Sequence, residues 1–412
     1  MSSTAAPIGV AGLGLISPLG HTLEAFQAKV MAGESAVGPW PLDLPGIDPV
    51  VLPLARCDFN DAAVRTPSRV PADRGTSMAL TAAMAAWAAS GLDMATLDAE
   101  RVGLYWGSGM AGAHSFDASC HTLYAEHKRL RPTTVLSTMP NAAVAEISLQ
   151  LGIRGPSLTY ACACASSAVA IGEALRALRG GWIDVAVVGG HESMLSPGVL
   201  ASWQAMRVMA PTGPEGSLAA SACRPFSADR HGFAMGEGAA ALVLESPAHA
   251  QARGAQHTLC LSGYATNSDA RHISQPDAAG QVRAMQAALR DACLQPQDIG
   301  YVNAHGTATQ AGDRAEAESL QTVFGERGVA VSSTKAIHGH LLGAGGAMEL
   351  VVALQALASG QVPPTAHLSQ ADPAFALDLV QGAARAVPGL RHAMSNSFAF
   401  GGTNAVLIAS RV

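Results

Sequence analysis

Lysine is nearly absent: Lys29, Lys128 and Lys335 are the only three among 25 basic residues, so each retained one draws attention. Excess positive charge is absent too. The net charge is −6 and the sequence pI is near 6.1, a balance that favours neither nucleic acid nor an anionic membrane surface. An acidic partner must therefore be met by a local patch. Paired cysteines are missing: the seven, at 57, 120, 162, 164, 223, 260 and 293, are odd in number and scattered, which suits reduced thiols and a cytoplasmic protein rather than a disulfide framework. Met1 to Pro7 lacks a basic segment, and Ile8–Gly20 is broken by Gly12, Gly14 and Pro18, so it reads as a first strand and turn, not a signal peptide. The most apolar helical run, Met78 to Met94, is interrupted by Thr81, Ser90 and Gly91 and reads as a buried helix rather than a membrane span.

What is present is apolar bulk. Hydrophobic residues make up 49% of 412 and charged ones 14%, enough for two domains or one large duplicated one. Strand and helix signals alternate, which predicts an α/β architecture. Ile8–Ile16, Val102–Trp106, Asp184–Gly190 and Gly238–Leu244 read as strands, the third apolar on both faces and hence central. Thr22–Ala32 and the stretch from Pro140-Asn141 to Gly152 read as helices, and Pro39–Pro53 as a loop. Near residue 255 the pattern begins again. Leu259–Gly263 is similar to Ile8–Gly12, Val329–Thr334 leads into Leu341–Leu357 as Ser157–Thr159 leads into the helix after Cys164, and Ala393–Ile408 mirrors Asp184–Gly190. Two similar halves, 1–254 and 255–412, are expected, with a site between them.

The segment Tyr160-Ala161-Cys162-Ala163-Cys164-Ala165-Ser166-Ser167 places Cys164 where a strand hands over to a helix that ends at Gly180-Gly181. Free backbone N–H groups and the helix dipole stabilise a thiolate there. On this segment alone, Cys164 reads equally as a small core residue. In the second half, Asn303-Ala304-His305-Gly306-Thr307-Ala308-Thr309, Lys335-Ala336-Ile337-His338-Gly339-His340 and Phe398-Ala399-Phe400-Gly401-Gly402-Thr403-Asn404 each set polar or backbone donors beside glycines that permit close approach of a substrate. His338 beside His340 has no partner cluster with metal-ligand spacing, so no metal is expected.

Taken together and in order, these stretches, with Arg224-Pro225-Phe226 and Gly232–Gly238, closely resemble the elongating β-ketoacyl-acyl-carrier-protein synthases of the thiolase superfamily, over nearly the whole chain. Thiolases need a second cysteine near the C-terminus, and none follows Cys293; initiating synthases have asparagine where His340 stands. The resemblance implies a thiolase fold, duplicated halves in a five-layer αβαβα sandwich, and decarboxylative condensation in fatty-acid-type elongation. Cys164 would carry the acyl group, with His305 and His340 as donors to the malonyl thioester oxygen. The N–H groups of Cys164 and Phe400 would hold the acyl oxygen. Lys335 would orient the histidines, Glu349 would support Lys335 and His340, and Thr307 and Thr309 would bind the phosphopantetheine arm. Phe400 would gate the nucleophile, Met110 would limit the acyl pocket, and Phe398, Gly401 and Gly402 would line the substrate. No cofactor is implied beyond the phosphopantetheine of an acyl carrier protein, and neither nucleic acid nor membrane is an implied partner. A homodimer is expected.

Carrier docking needs cations against an acidic helix; Lys128, Arg129, Arg131 and Arg207 are the candidates. The segment Thr66–Arg74, a denser basic patch in the family, offers Arg69 and Arg74 alongside Asp73, which leaves the cognate carrier open. The alternative is a ketosynthase of a polyketide or aryl-polyene pathway, in a heterodimer with a cysteine-less chain-length-factor subunit. A non-catalytic partner chain is disfavoured by the retained Cys164, His305, His340 and Lys335.

Overall fold

Eleven strands share one hydrogen-bonded sheet in the computed structural model, which describes residues 6–412. Its order repeats outward from a central seam. The first half runs Ile8–Ile16, Gly238–Glu245, Val185–Glu192, Val102–Gly107, Ser157–Tyr160; the second runs Leu259–Ser268, Thr403–Arg411, His392–Phe398, Tyr301–Asn303, Ala330–Ser332. In both halves the second strand is antiparallel to its neighbours and the outer three are parallel. The seam is the antiparallel pairing of Ile8 and Gly9 with Leu261 and Cys260. Asp378–Leu379 adds an extra edge strand to the second half alone.

Helices Arg74–Ser90 and Ala142–Leu151 cover the outer face of the first half, and Ala278–Ala292 with Gln310–Phe324 that of the second. Between the halves lie Ser166–Arg179 and Gly345–Ser359, giving the layer order α, β, α, β, α. The sequence explains the close spacing. A methyl group on Gly12 would sit 2.2 Å from the Ala86 carbonyl oxygen, so the first strand and the alanine-rich helix approach through small residues on both sides.

The helical run Leu342–Ser359, not the Met78–Met94 run, is the apolar segment of spanning length, and 83% of it is buried inside the protein. On it Leu350, Val351, Leu354 and Leu357 are fully buried, each contributing about 1.5–3 kcal/mol. Pro39–Pro53 is not a loop but part of a hairpin, Gly38–Leu44 with Ile47–Ala55. Leu42, Leu52 and Leu54 turn inward, while Pro39 and Pro41 lie on an edge strand where missing donors do no harm. Ala393–Ile408 is two antiparallel strands turning at Phe400–Gly402; His392–Phe398 takes the place in its half that Val185–Glu192 takes in the other.

Candidate active site

Cys164 sits in a one-turn segment, Ala163–Ala165, between the Ser157–Tyr160 strand and the helix from Ser166. Ala163 is held at a φ of 47°, in the left-handed region that a side chain adopts only under constraint. The constraint is visible. Ser166 Oγ accepts from the Cys162 N–H at 2.8 Å and donates to the Ala163 carbonyl at 2.6 Å. Gly107, at the end of a central strand, abuts the helix start so closely that a Cβ would lie 2.2 Å from the Ser167 nitrogen.

The second half repeats this turn. Leu342, at φ 46°, opens the segment Leu342–Ala344 before the helix from Gly345. The Leu342 N–H donates to His340 Nδ1 at 3.3 Å, which puts the proton of the neutral ring on Nε2. Nε2 lies 3.2 Å from Cys164 Sγ, so His340 presents an N–H to the sulfur. His305 follows the Tyr301–Asn303 strand, with its own N–H and that of Gly306 held by the Glu316 carboxylate at 2.8 and 2.6 Å. The two imidazoles meet edge to face at 5.4 Å, and one ring nitrogen of each lies, with Sγ, within a 4.8 Å cluster. Such spacing suits a metal, but the proton on His340 Nε2 occupies the lone pair a metal would need.

Burial sets the electrostatics. It holds both imidazoles well below their ordinary range, helped by the Lys335 charge, so they are neutral donors at neutral pH. It also pushes the Cys164 thiol up to about 12, against Lys335 and the Phe400 N–H. Desolvation of the sulfur thus opposes the thiolate expected from the helix start. Lys335 is fully buried and bonded to Glu349, whose carboxyl burial pushes up to about 7 against that ammonium. Lys335 makes no hydrogen bond to either histidine among the described residues; it reaches them through charge. His338 faces elsewhere, its ring bonded to the Gly339 carbonyl at 2.7 Å and Thr334 Oγ1 at 2.9 Å.

The chamber in front of Cys164 is lined by both histidines, Thr307, Thr309, Phe398, Phe400 and Gly402. Thr307 and Thr309 share a 2.9 Å hydroxyl contact, and Thr309 caps the following helix. Gly401 and Gly402, at φ 86° and 78°, make the turn that carries Phe400, and its N–H is directed at Sγ; Gly401 itself faces solvent. Met110 is not in this chamber. It is 48% exposed and lines a separate groove. Arg74 is buried in an ion pair with Glu237, so it offers nothing to a partner. Lys128, Arg129, Arg131 and Arg207 are exposed, with Lys128 pairing to Glu126 at 2.9 Å.

Three residues without a sequence signal matter here, Trp203, Glu316 and Glu192, together with Phe233 of the Gly232–Gly238 stretch. Trp203 and Phe233 complete the aromatic wall of the chamber. Glu316 holds the His305 loop. Glu192, fully buried, accepts from Gly109 at 2.7 Å, Gly343 at 3.0 Å, Ser108 at 3.1 Å and Met110 at 3.2 Å, tying the strained turn beside His340 to the end of a first-half strand. Lone carboxylates of this kind have no motif.

A buried thiol at a helix start, faced across two duplicated halves by neutral imidazole donors, defines a thiolase-fold acyl-transferring enzyme. Family models for the β-ketoacyl synthase N-terminal domain and C-terminal domain match residues 5–250 and 259–369. The chain belongs to the β-ketoacyl synthase family. It is 37% identical over 407 residues to nodulation protein E of Rhizobium sp. (strain N33), covering 98% of both chains. It is 35% identical over 410 residues to 3-oxoacyl-[acyl-carrier-protein] synthase 2 of Vibrio cholerae, again covering 98% of both. Among solved structures, the ishigamide ketosynthase/chain length factor matches with a TM-score of 0.89 at 28% identity, covering 98% of this chain and 99% of that one.

Proposed function

We propose that the chain is an elongating condensing enzyme of the Cys-His-His type, using acyl- and malonyl-acyl-carrier-protein substrates. The observation that carries this is the presentation of His340 Nε2–H to Cys164 Sγ at 3.2 Å, with a second imidazole 5.4 Å from the first. In the first stage Sγ attacks the acyl thioester carbon, and the carrier's thiolate leaves with the proton the cysteine gives up. In the second, the bond between the malonyl carbon and its carboxylate breaks and carbon dioxide departs. The electron pair passes onto the thioester oxygen, where N–H groups of His305 and His340 hold it. Neutral imidazoles suit that task. The carbanion then attacks the acyl carbon on Cys164. The N–H groups of Cys164 and Phe400 hold the new oxyanion, and collapse releases Cys164 as a thiolate, which takes a proton from solvent before the next round.

Thr307 and Thr309 bind the phosphopantetheine arm, and Glu349 supports Lys335. Lys128, Arg129, Arg131 and Arg207 form the carrier-docking face. We take the two units as 1–254, bearing the nucleophile, and 255–412, bearing both histidines. The enzyme works in the cytoplasm without a metal or further cofactor, as a dimer. Exposed Tyr124, Val135, Leu136 and Leu158, the last on the edge strand Ser157–Tyr160, support a partner subunit. A second reading keeps the chemistry and makes that partner a chain-length factor, in keeping with the ishigamide neighbour.

Intact mass spectrometry after incubation with acyl-carrier proteins tests this. A single acyl adduct, absent in Cys164→Ala and discharged as a β-ketoacyl product by malonyl-carrier protein, is expected. No adduct with any acyl group refutes the stand-alone enzyme. Co-purification of a second, cysteine-less subunit selects the polyketide-type reading.

A further inference from the structure

Two cavities meet at a single side chain. The chamber holding Cys164, His305, His340, Phe233 and Phe400 has a volume of about 170 Å³. Beyond it lies an apolar groove of about 650 Å³, walled by Met110, Phe116, Val199 and Met206. Trp203 lines both, and no other of the described residues does. It stands on the helix Pro197–Ala205, half-buried, with its indole stacked on Phe400 at 6.3 Å and 18° and meeting Phe233 edge-on at 5.8 Å. Phe233 is itself braced edge-on against His340 at 5.3 Å. The indole is thus wedged between the residue over the thiol and the residue beside the histidine.

Resting on the condensing reading above, we propose that Trp203 is the partition that sets acyl-chain capacity, making short-chain acyl thioesters the preferred donors. A short acyl group on Cys164 is contained by the chamber. A longer aliphatic chain finds an apolar continuation in the Met110–Phe116 groove and must displace the indole to enter it. Met110 then acts on the far side of the partition, against the distal part of a long chain, rather than beside the thiol. The chemistry favours an aliphatic occupant of the groove: its Met110, Phe116, Val199 and Met206 walls offer no charge, and Asp117 is engaged by the Gly198 N–H at 3.0 Å.

The test compares the rates at which acetyl-, octanoyl- and palmitoyl-carrier protein load Cys164, read by intact mass, in wild type, Trp203→Ala and Trp203→Leu. The octanoyl-to-acetyl ratio is expected to rise by roughly 10-fold or more in the Ala variant, the scale on which apolar pockets discriminate by size. The Leu variant, which retains bulk but not the planar wedge, should rise less, and it carries the test if the Ala variant fails to fold. A ratio equal to wild type in both variants overturns the proposal, as does a wild type that loads palmitoyl as fast as acetyl. Absence of every adduct on wild type refutes instead the condensing reading.

Discussion

Replacing Lys335 by methionine removes the cation bonded to Glu349 and strands a carboxyl that is 1% exposed. Breaking a buried pair from one side costs about 3–5 kcal/mol. Here the cost depends on pH in a way that identifies its origin. Burial already lifts Glu349 to about 7 with the ammonium present, so without it the folded-state value rises further. The unfolded value stays near 4.3. Between those limits the folded protein holds a proton that the unfolded chain has lost, so stability falls as pH rises. Lys335→Met should therefore lose about 1 kcal/mol more at about pH 8 than at about pH 6, because wild type itself titrates near 7 and one proton is worth about 1.4 kcal/mol per pH unit. A thermal-unfolding series across that range measures it. Replacing both partners, Lys335→Met with Glu349→Leu, should restore stability, since buried pairs exchange for apolar residues at little cost. The double variant still lacks the charge that both histidines feel. Carbon dioxide release from malonyl-carrier protein should then fall by roughly 10-fold or more, because a fixed positive charge no longer faces the developing enolate. A double variant that is stable and decarboxylates like wild type would refute the electrostatic role and leave Lys335 as a partner of Glu349 alone. A single variant equally stable at both pH values would refute the burial argument.

Other expectations follow from the same geometry. His338→Ala should lose about 1–3 kcal/mol of stability, leaving buried partners Thr334 and Gly339 unpaired, yet still form the acyl adduct. His340→Ala should instead fail in malonyl decarboxylation while folding, and an adduct lost in both would erase the distinction between the two rings. Gly107→Ala sets a Cβ 2.2 Å from the Ser167 nitrogen and must push back the helix start beneath Cys164. A loss of about 1–3 kcal/mol together with slowed acyl loading is expected, and normal loading kinetics would count against the positioning argument. In the pH dependence of wild-type stability, burial lowers His191 to about 4 and His338 to about 3, while it raises Glu192, Asp313 and Glu349 each to about 7. Between the unfolded carboxyl and histidine values, about 4.3 and 6.5, the two sets oppose each other, since acidification penalises the histidines and favours the carboxyls. Above 6.5 only the carboxyls still change, so the unfolding midpoint should decline from about pH 6.5 to 8; a rise over that interval would contradict it.

Much of the molecule could be read from residue order. The Cys164 turn, the strand through Asp184–Gly190 and the C-terminal glycine turn lie within a few residues of where local pattern puts them, because glycine stops and two-sided apolar runs act over short distances. The Pro39–Pro53 hairpin reads locally as a loop because of its prolines, and the pairing that joins one of its strands to the rest, Leu54 and Ala55 with Met235 and Gly236, lies outside any local window. The same reason hid Glu192 and Glu316. A buried carboxylate is recognisable only once the backbone donors that surround it have been brought together from separate segments. Met110 lines the groove beyond Trp203 rather than the chamber, a division that chain order alone does not give.

The two strained turns carry the last step. Ala163 at φ 47° and Leu342 at φ 46° are counterparts on opposite halves, each opening a central helix. One bears the nucleophile at its second position, and the other has Gly343 there. A side chain at Gly343 is excluded, for its Cβ would fall 2.2 Å from the Gly109 nitrogen and 2.6 Å from Glu192 Oε2. The second turn therefore cannot hold a second nucleophile. Its task is taken by backbone: the Leu342 N–H fixes the His340 tautomer, and the Gly343 N–H ties the turn to Glu192. From one duplicated element the chain obtains a sulfur on one side and an oriented proton donor on the other. That asymmetry matches condensation, where one carbonyl must be held as a thioester while negative charge develops on another.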